Sequence, residues 1–273
     1  MAVLVITQQI GSRGLEIAEL AARELGYRLV AGPELVDQVS RRYKITPEQL
    51  LVVDERKPHF WERLRTDTDR FVAFLRAELL RNLAEDRVIL VGRGIAHHLP
   101  QSGCGVRVHV IGNPSDRMAR VAVDEKLSRG AAEKRVREYD HEIRSRVQTV
   151  CGLDIEDPNV YGLVLNRSAM TLEGCAAVLV AAAREIDSRV TPEDWQRLRD
   201  AALGAQVRAA IHAHPQLNSS QIEIQCLNGA VRVNGPGLVP PWDGLTDQVV
   251  RQVNGVASVE ITAEGGAMPI LPE

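Results

Sequence analysis

Two hydrophobic periods alternate along roughly the first 185 residues. Short apolar runs bounded by turn residues, over Ala2–Thr7, Tyr27–Ala31, Arg87–Val91, Val106–Ile111 and Gly162–Asn166, have the length of buried strands. Between them apolar positions recur at helical spacing. Leu15–Leu25 reads as a helix stopped by Gly26, and Pro33–Arg42 as a second. Phe60–Leu83 carries Leu64, Phe71, Phe74, Leu75, Leu79 and Leu83 on one stripe. Asn113-Pro114 opens a further helix, Ser128 caps a highly charged one running to about Val150, and Thr171 to about Ser188 closes the series. Thr46-Pro47-Glu48 reads as the cap of one more short helix. Strand–helix alternation predicts an α/β fold, a mostly parallel sheet with helices on both faces. In such sheets ligands sit at the carboxyl ends of the strands, which directs attention to the loops after the first, third and fourth strands.

After Ser188 the pattern changes. Thr191-Pro192-Glu193-Asp194 starts a helix that reads as a connector. The order then becomes helix, strand, strand, helix, strand over Val207–His212, Ile222–Leu227, Ala230–Asn234, Leu245–Val253 and Val256–Thr262, with Asn228-Gly229 as a hairpin turn. This predicts a small α+β (αββαβ) C-terminal domain. The expected organisation is an α/β domain over 1–188, a helical linker over 189–204, the small domain over 205–264 and a flexible tail over 265–273.

Composition narrows the function. A net charge of -3 and a pI of about 6.2 argue against a broad basic surface for nucleic acid. Cys104, Cys151, Cys175 and Cys226 form no C-x-x-C pair, so no zinc or redox motif is expected. The opening MAVLVITQQIGSRG lacks the basic region and longer apolar stretch of a secretory signal, and no run reaches the length of a spanning helix. The expectation is a cytoplasmic protein with free thiols.

Three segments carry candidate chemistry. Gln8-Gln9-Ile10-Gly11-Ser12-Arg13-Gly14 joins a strand to a helix, where a glycine turn and a helix N-terminus together favour an anion. It is not a full G-x-x-x-x-G-K-[ST] loop: no lysine follows Gly14, Leu15 and Glu16 stand where lysine and hydroxyl would help, and Arg13 is the loop's fixed cation. Gly92-Arg93-Gly94 follows the VILV strand, and an arginine there suits bidentate binding of an oxyanion. Lys134, Arg137, His141 and Arg144 share one face of the charged helix, with Asp140 beside them to orient the arginines. That face reads either as a lid over phosphates or as a solvated surface. Asp154 and Asp157 read as turn residues, and His97-His98 as a helix cap or surface pair.

The stretches VITQQIGSRGLEIAELAARELGY, VILVGRGIAHHL, and VHVIGNPSDRMARV through REYDHEIR to DPNVYGLVLNRS resemble the cytidylate kinase-like family, a branch of the P-loop nucleoside monophosphate kinases. The resemblance implies that Gly11, Ser12, Arg13 and Gly14 wrap the phosphates of ATP, that Arg93 holds the acceptor monophosphate, and that Arg137, Asp140 and Arg144 lie in the lid. Mg²⁺ is expected on the phosphates. The sequence departs from the family at Arg13, where a glycine is usual, at Ala31, where an acidic residue is frequent, and around Val147-Gln148, where an aromatic pair is frequent. Residues Ala205–Thr262, with LNGAVRVNG and VNGVASVEI, resemble a BON domain, which implies a protein or lipid contact. Two functions follow from these resemblances. One is phosphoryl transfer from ATP to a nucleoside monophosphate, CMP or dCMP. The other is a catalytically weak or inactive nucleotide sensor coupled to the BON-like part.

Overall fold

The computed structural model describes residues 2–46, 65–92, 94–100, 103–217 and 222–263, with backbone alone for 65–68. The helix expected after Thr46, the part of the Phe60–Leu83 stripe before Arg65, and the tail lie outside these residues. Two compact units share the described chain: 2–46 with 82–198, and 65–81 with 199–263.

In the first unit β1 (Val3–Gln8), α1 (Gly14–Leu25), β2 (Arg28–Ala31) and α2 (Gly32–Tyr43) come first. After α3 (Arg65–Leu83), most of which belongs to the second unit, follow β3 (Val88–Gly92) and β4 (Gly105–Ile111). The unit closes with α4 (Pro114–Asp124), α5 (Arg129–Cys151), β5 (Leu163–Asn166) and α6 (Leu172–Arg189). The strands form one sheet in the order β2-β3-β1-β4-β5, every pairing parallel. The expected α/β class is the observed one.

A parallel strand covered on both faces needs an unbroken apolar run, and β1 supplies it: Val3, Leu4, Val5 and Ile6 are all fully buried. On one face Leu4, Ile6, Ile89, Val91, Val108 and Val110 pack with Ile17, Ala18 and Ala21 of α1 and with Leu179, Val180 and Ala183 of α6. The alanines let both helices approach the sheet closely. Each fully buried leucine or isoleucine contributes about 1.5–3 kcal/mol. The α4–α5 pair has its own small core of Val121, Ala132 and Val136, on which Ile10 packs. Ser128 caps α5 by accepting from the Ala131 amide, as expected from the sequence.

The other sheet face is polar toward its carboxyl end. Thr7 and His109 are register partners on β1 and β4, and Arg107 lies two residues before His109. Arg107 donates to the carbonyls of Leu99 and Val160. The Tyr161 ring lies 4.8 Å from that of His109 and 5.5 Å from that of His97. His97 is therefore not a surface residue. It sits in the 3-10 turn Ala96–His98, buried, with neither ring nitrogen hydrogen-bonded among the described residues. The dipeptide looked solvent-facing because nothing local shows that the turn folds back onto β1, where the Ala96 amide donates to Thr7 Oγ1 at 3.1 Å.

In the second unit β6 (Glu223–Leu227), β7 (Ala230–Asn234), α8 (Trp242–Arg251) and β8 (Ser258–Thr262) follow the end of α7 (Pro192–Ala213). The two helices expected at Thr191 and at Val207–His212 are a single helix. Leu198, Ala202, Ala205, Ala209 and Ile211 are all buried, so a packed stripe runs through the stretch read as a linker. The sheet order is β6-β7-β8, antiparallel then parallel. Its core is Leu203, Val207, Ile211, Val231, Val233 and Val250. The predicted hairpin turn is present, with Asn228 at φ 50° and Gly229 at φ 84°. Of the four cysteines, Cys104 and Cys175 are buried and Cys151 and Cys226 partly so. Among the described residues no helix is long and apolar enough to cross a membrane.

Candidate functional site

The sheet register brings four loops to one edge. Thr7 pairs with Gly92 and Gln8 with Val110, so the first loop, the glycine turn after β3 and the loop after β4 all leave the sheet side by side. Hydrogen bonds continue this edge toward β5. The Gln9 amide donates to Val110, and Gln9 Oε1 accepts from the Gly112 amide at 3.1 Å. The Asn113 amide donates to Ser168 Oγ at 2.9 Å, and the Ser168 amide donates to Asn166 Oδ1 at 3.0 Å. Asn166, a strand-end residue with no evident role in the sequence, shapes the turn that carries Ser168.

The first loop is tightly built. Gly11 has φ 76°, and a side chain there would meet the Arg117 carbonyl at 2.6 Å, so only glycine fits. Ser12 is buried, and its hydroxyl donates to the Gln9 carbonyl at 2.7 Å. Arg13 is left-handed at φ 60°, ψ 30° and is the residue before α1. Its Nε donates to Glu16 Oε1 at 2.7 Å, and Nη2 bonds the other carboxylate oxygen. The Arg13 bond holds the Glu16 carboxyl below its ordinary value against the opposing effect of burial, and the same bond raises Arg13. Gly14 opens α1, and the following amide, of Leu15, donates to Gln8 Oε1 at 3.0 Å.

Other expected residues fall differently. Arg93 lies outside the described residues; its neighbour Gly92 ends β3 beside Thr7, and Gly94 has φ 69° with the Val147 side chain against it. Lys134, Arg137, His141 and Arg144 are exposed on α5. Lys134 pairs with Glu138, Arg137 with Glu133 and Arg144 with Glu156. Asp140 does not orient these arginines. It grips the guanidinium of Arg117 on α4 at 2.9 and 2.5 Å, and Arg117 Nε donates to the Ile10 carbonyl at 2.8 Å. The +3/+4 spacing that grouped Asp140 with its helix neighbours ignored that Asp140 is half-buried toward α4. Helix α5 is thereby tied to the first loop through one buried arginine.

Sequence reasoning missed Gln8, Gln9, Glu16, Arg117, Arg120 and Arg167. Arg120 Nη2 lies 3.9 Å from Glu16, and Arg167 adds to the field on the same carboxylate. Arg120 and Arg167 come from helices and loops distant in sequence, so no local motif marks them. Glu16 had a local signal, three residues after Arg13 in the first turn of a helix.

A glycine turn from the central strand of a five-stranded parallel sheet into a helix N-terminus defines a P-loop-kinase-like α/β protein. The chain belongs to the cytidylate kinase-like family, whose model matches residues 3–169. No curated protein matches it. Among solved structures it is similar to an uncharacterised protein of Eubacterium ventriosum, at 17% identity and a TM-score of 0.51 over 69% of this chain and 100% of that one. A shikimate kinase of Acinetobacter baumannii, solved with shikimate, is 11% identical at a TM-score of 0.42, over 70% and 96%.

Proposed function

We propose that this chain binds a nucleotide at the carboxyl edge of its sheet and transfers a phosphoryl group from ATP to a nucleoside monophosphate, CMP or dCMP by family resemblance. The observation that supports the reading is the Gly11–Gly14 turn, which sets the N-terminus of α1, with Arg13 just before it, at the same sheet edge as Gly92 at the end of β3. In the transfer, the bond from the terminal phosphorus to the bridging oxygen of ATP breaks. A bond forms to an oxygen of the acceptor phosphate, and ADP leaves. Little covalent chemistry falls to the protein, which positions the two phosphates and neutralises charge. Arg13 and the start of α1 serve the donor, and Arg93 is assigned to the acceptor. Asp140 and Arg117 keep the loop in register, while Arg137 and Arg144 contribute charge from α5. The Mg²⁺ that the resemblance implies would be carried by the phosphates of ATP and would supply charge neutralisation there; among the described residues no group of three acidic, histidine or cysteine side chains stands ready to hold it.

A chromatographic assay with ATP and each of AMP, GMP, UMP, CMP and dCMP tests this. Formation of CDP or dCDP, reduced tenfold or more in Arg93→Ala, is the expected result. Absence of transfer to every acceptor overturns it.

A second reading is favoured by one observation: the loop's cation is bound to Glu16 and no lysine follows Gly14. In it the chain is a nucleotide sensor with little turnover, and the C-terminal unit signals to a protein partner or, second, a lipid surface. The αββαβ order of that unit supports a BON-like assignment. Val239 and Trp242, exposed apolar side chains at the start of α8, are the proposed contact. Nucleotide binding without turnover, together with altered hydrogen exchange over 205–262, distinguishes this reading.

A further inference from the structure

The groups of the first loop that would meet a phosphate are already engaged by the chain itself. A helix N-terminus offers amides without helical partners, and the amide of Leu15, one residue into α1, is one of them. It donates to the side-chain carbonyl of Gln8, the last residue of β1. The contact is built in: the place where Gly14 would carry a side chain is filled by Gln8, whose Oε1 lies 2.7 Å and Cβ 2.8 Å from that point. An amide oxygen accepting from the first turn of a helix occupies the position a phosphate oxygen takes in an anion site. The loop's cation is engaged as well. The Nε and Nη2 groups of Arg13 both donate to Glu16, in that same first turn, where a carboxylate also gains from the helix dipole.

The surrounding arginines are balanced in the same way. Arg120 Nε donates to Asp124 at 2.8 Å while its Nη2 faces Glu16. Arg167 Nη1 donates to the Met170 carbonyl, and its buried Nε has no partner among the described residues. Asp124 and Glu173 add negative field at Arg13. Three guanidiniums and three carboxylates therefore balance in charge around the loop, and an entering phosphate has to displace Glu16 to gain the Nε–Nη2 edge of Arg13.

We propose that the phosphate loop is self-occupied: Gln8 and Glu16 stand in for the ligand on the Leu15 amide and on Arg13, and nucleotide binds by exchanging both. The proposal rests on the nucleotide reading above. It makes Gln8 and Glu16 determinants of affinity with a sign opposite to that of the residues they cover. Removing an ordinary binding residue weakens binding, whereas removing either stand-in strengthens it.

The test is calorimetric titration of the full chain with inorganic tripolyphosphate and with ATP. Gln8→Ala is expected to tighten binding by about fivefold, the exchange of one neutral hydrogen bond. Glu16→Gln is expected to tighten it by about tenfold, because a charge-assisted contact is released. Arg13→Ala is expected to weaken it. Wild-type binding that is unchanged or weakened in both Gln8→Ala and Glu16→Gln overturns self-occupancy and leaves the nucleotide reading standing. No binding by any variant overturns both. Amide exchange of the ligand-free chain gives a readout independent of affinity: Leu15 is expected to exchange at least about tenfold faster in Gln8→Ala than in wild type, with the circular dichroism of the fold unchanged. Equal rates overturn the proposal.

Discussion

Arg13 holds a left-handed backbone that costs an ordinary residue about 1–2 kcal/mol, at a position where glycine would hold it without strain. Retaining arginine there sets local strain against a cation at the phosphate edge. In Arg13→Gly, relief of strain offsets the added freedom of the unfolded chain and the loss of a half-exposed ion pair. Stability in urea is therefore expected to stay within about 1 kcal/mol of the parent, while ATP binding weakens. Asp140 is the contrasting case. The Arg117 side chain is 4% exposed, and without its carboxylate it keeps a buried charge whose remaining hydrogen-bond partner among the described residues is the Ile10 carbonyl. Asp140→Ala is expected to cost about 3 kcal/mol in a urea melt. His97 and His109 are both pushed down to about 4 from an ordinary 6.5, chiefly by burial, with Arg107 adding to it at His97, and His97 and Arg117 at His109, where Asp140 opposes. Above pH 6.5 both are neutral in the folded and unfolded chain, and their contribution is intact. Between 6.5 and 4 the unfolded chain takes up protons that the folded one refuses. Stability is then lost at up to about 1.4 kcal/mol per pH unit for each histidine. Urea midpoints at pH 7 and pH 5 measure the drop, and His97→Leu is expected to shrink it.

At the scale of elements, the regular structure was legible wherever a local signal settles it. Hydrophobic period separated β1 from α1, Ser128 and Thr171 marked helix starts, and Asn228-Gly229 marked the β6–β7 turn. The turn's demand can be checked directly. Gly229 is at φ 84° and a side chain there would approach the Gly255 carbonyl at 3.0 Å, so Gly229→Ala is expected to lower stability by about 1–2 kcal/mol. The sequence misled where long-range packing decides. α7 was read as a connector from Thr191 and a separate helix at Val207–His212, because the change of pattern after Ser188 suggested a boundary where one helix runs through. A single glycine inside a helix is tolerated at a cost of about 1 kcal/mol, and Gly204 does not interrupt α7. The site was legible as a loop and not as a constellation. Gly11 to Gly14 stood out because they are contiguous. Arg117, Arg120 and Arg167 did not, because only tertiary packing brings them to the loop, and Gln8, though contiguous with it, gives no local sign that its side chain turns back onto the Leu15 amide. Asp140 was found in the sequence but with the wrong partner, since helical spacing describes neighbours on one helix and says nothing of the helix packed against it.

For the whole molecule, the parallel sheet of 2–46 and 82–198 supplies the edge on which the functional reading stands, and family membership over residues 3–169 covers that edge from β1 to the loop after β5. The central claim is that a nucleotide binds there. Hydrogen exchange of the full chain with and without Mg-ATP tests it most directly, because it reports location as well as binding. Slower exchange over residues 9–17 and 112–118 is the expected result, reduced in Arg13→Ala. Unchanged exchange across both segments at saturating ATP, or protection confined to 199–263, would contradict it.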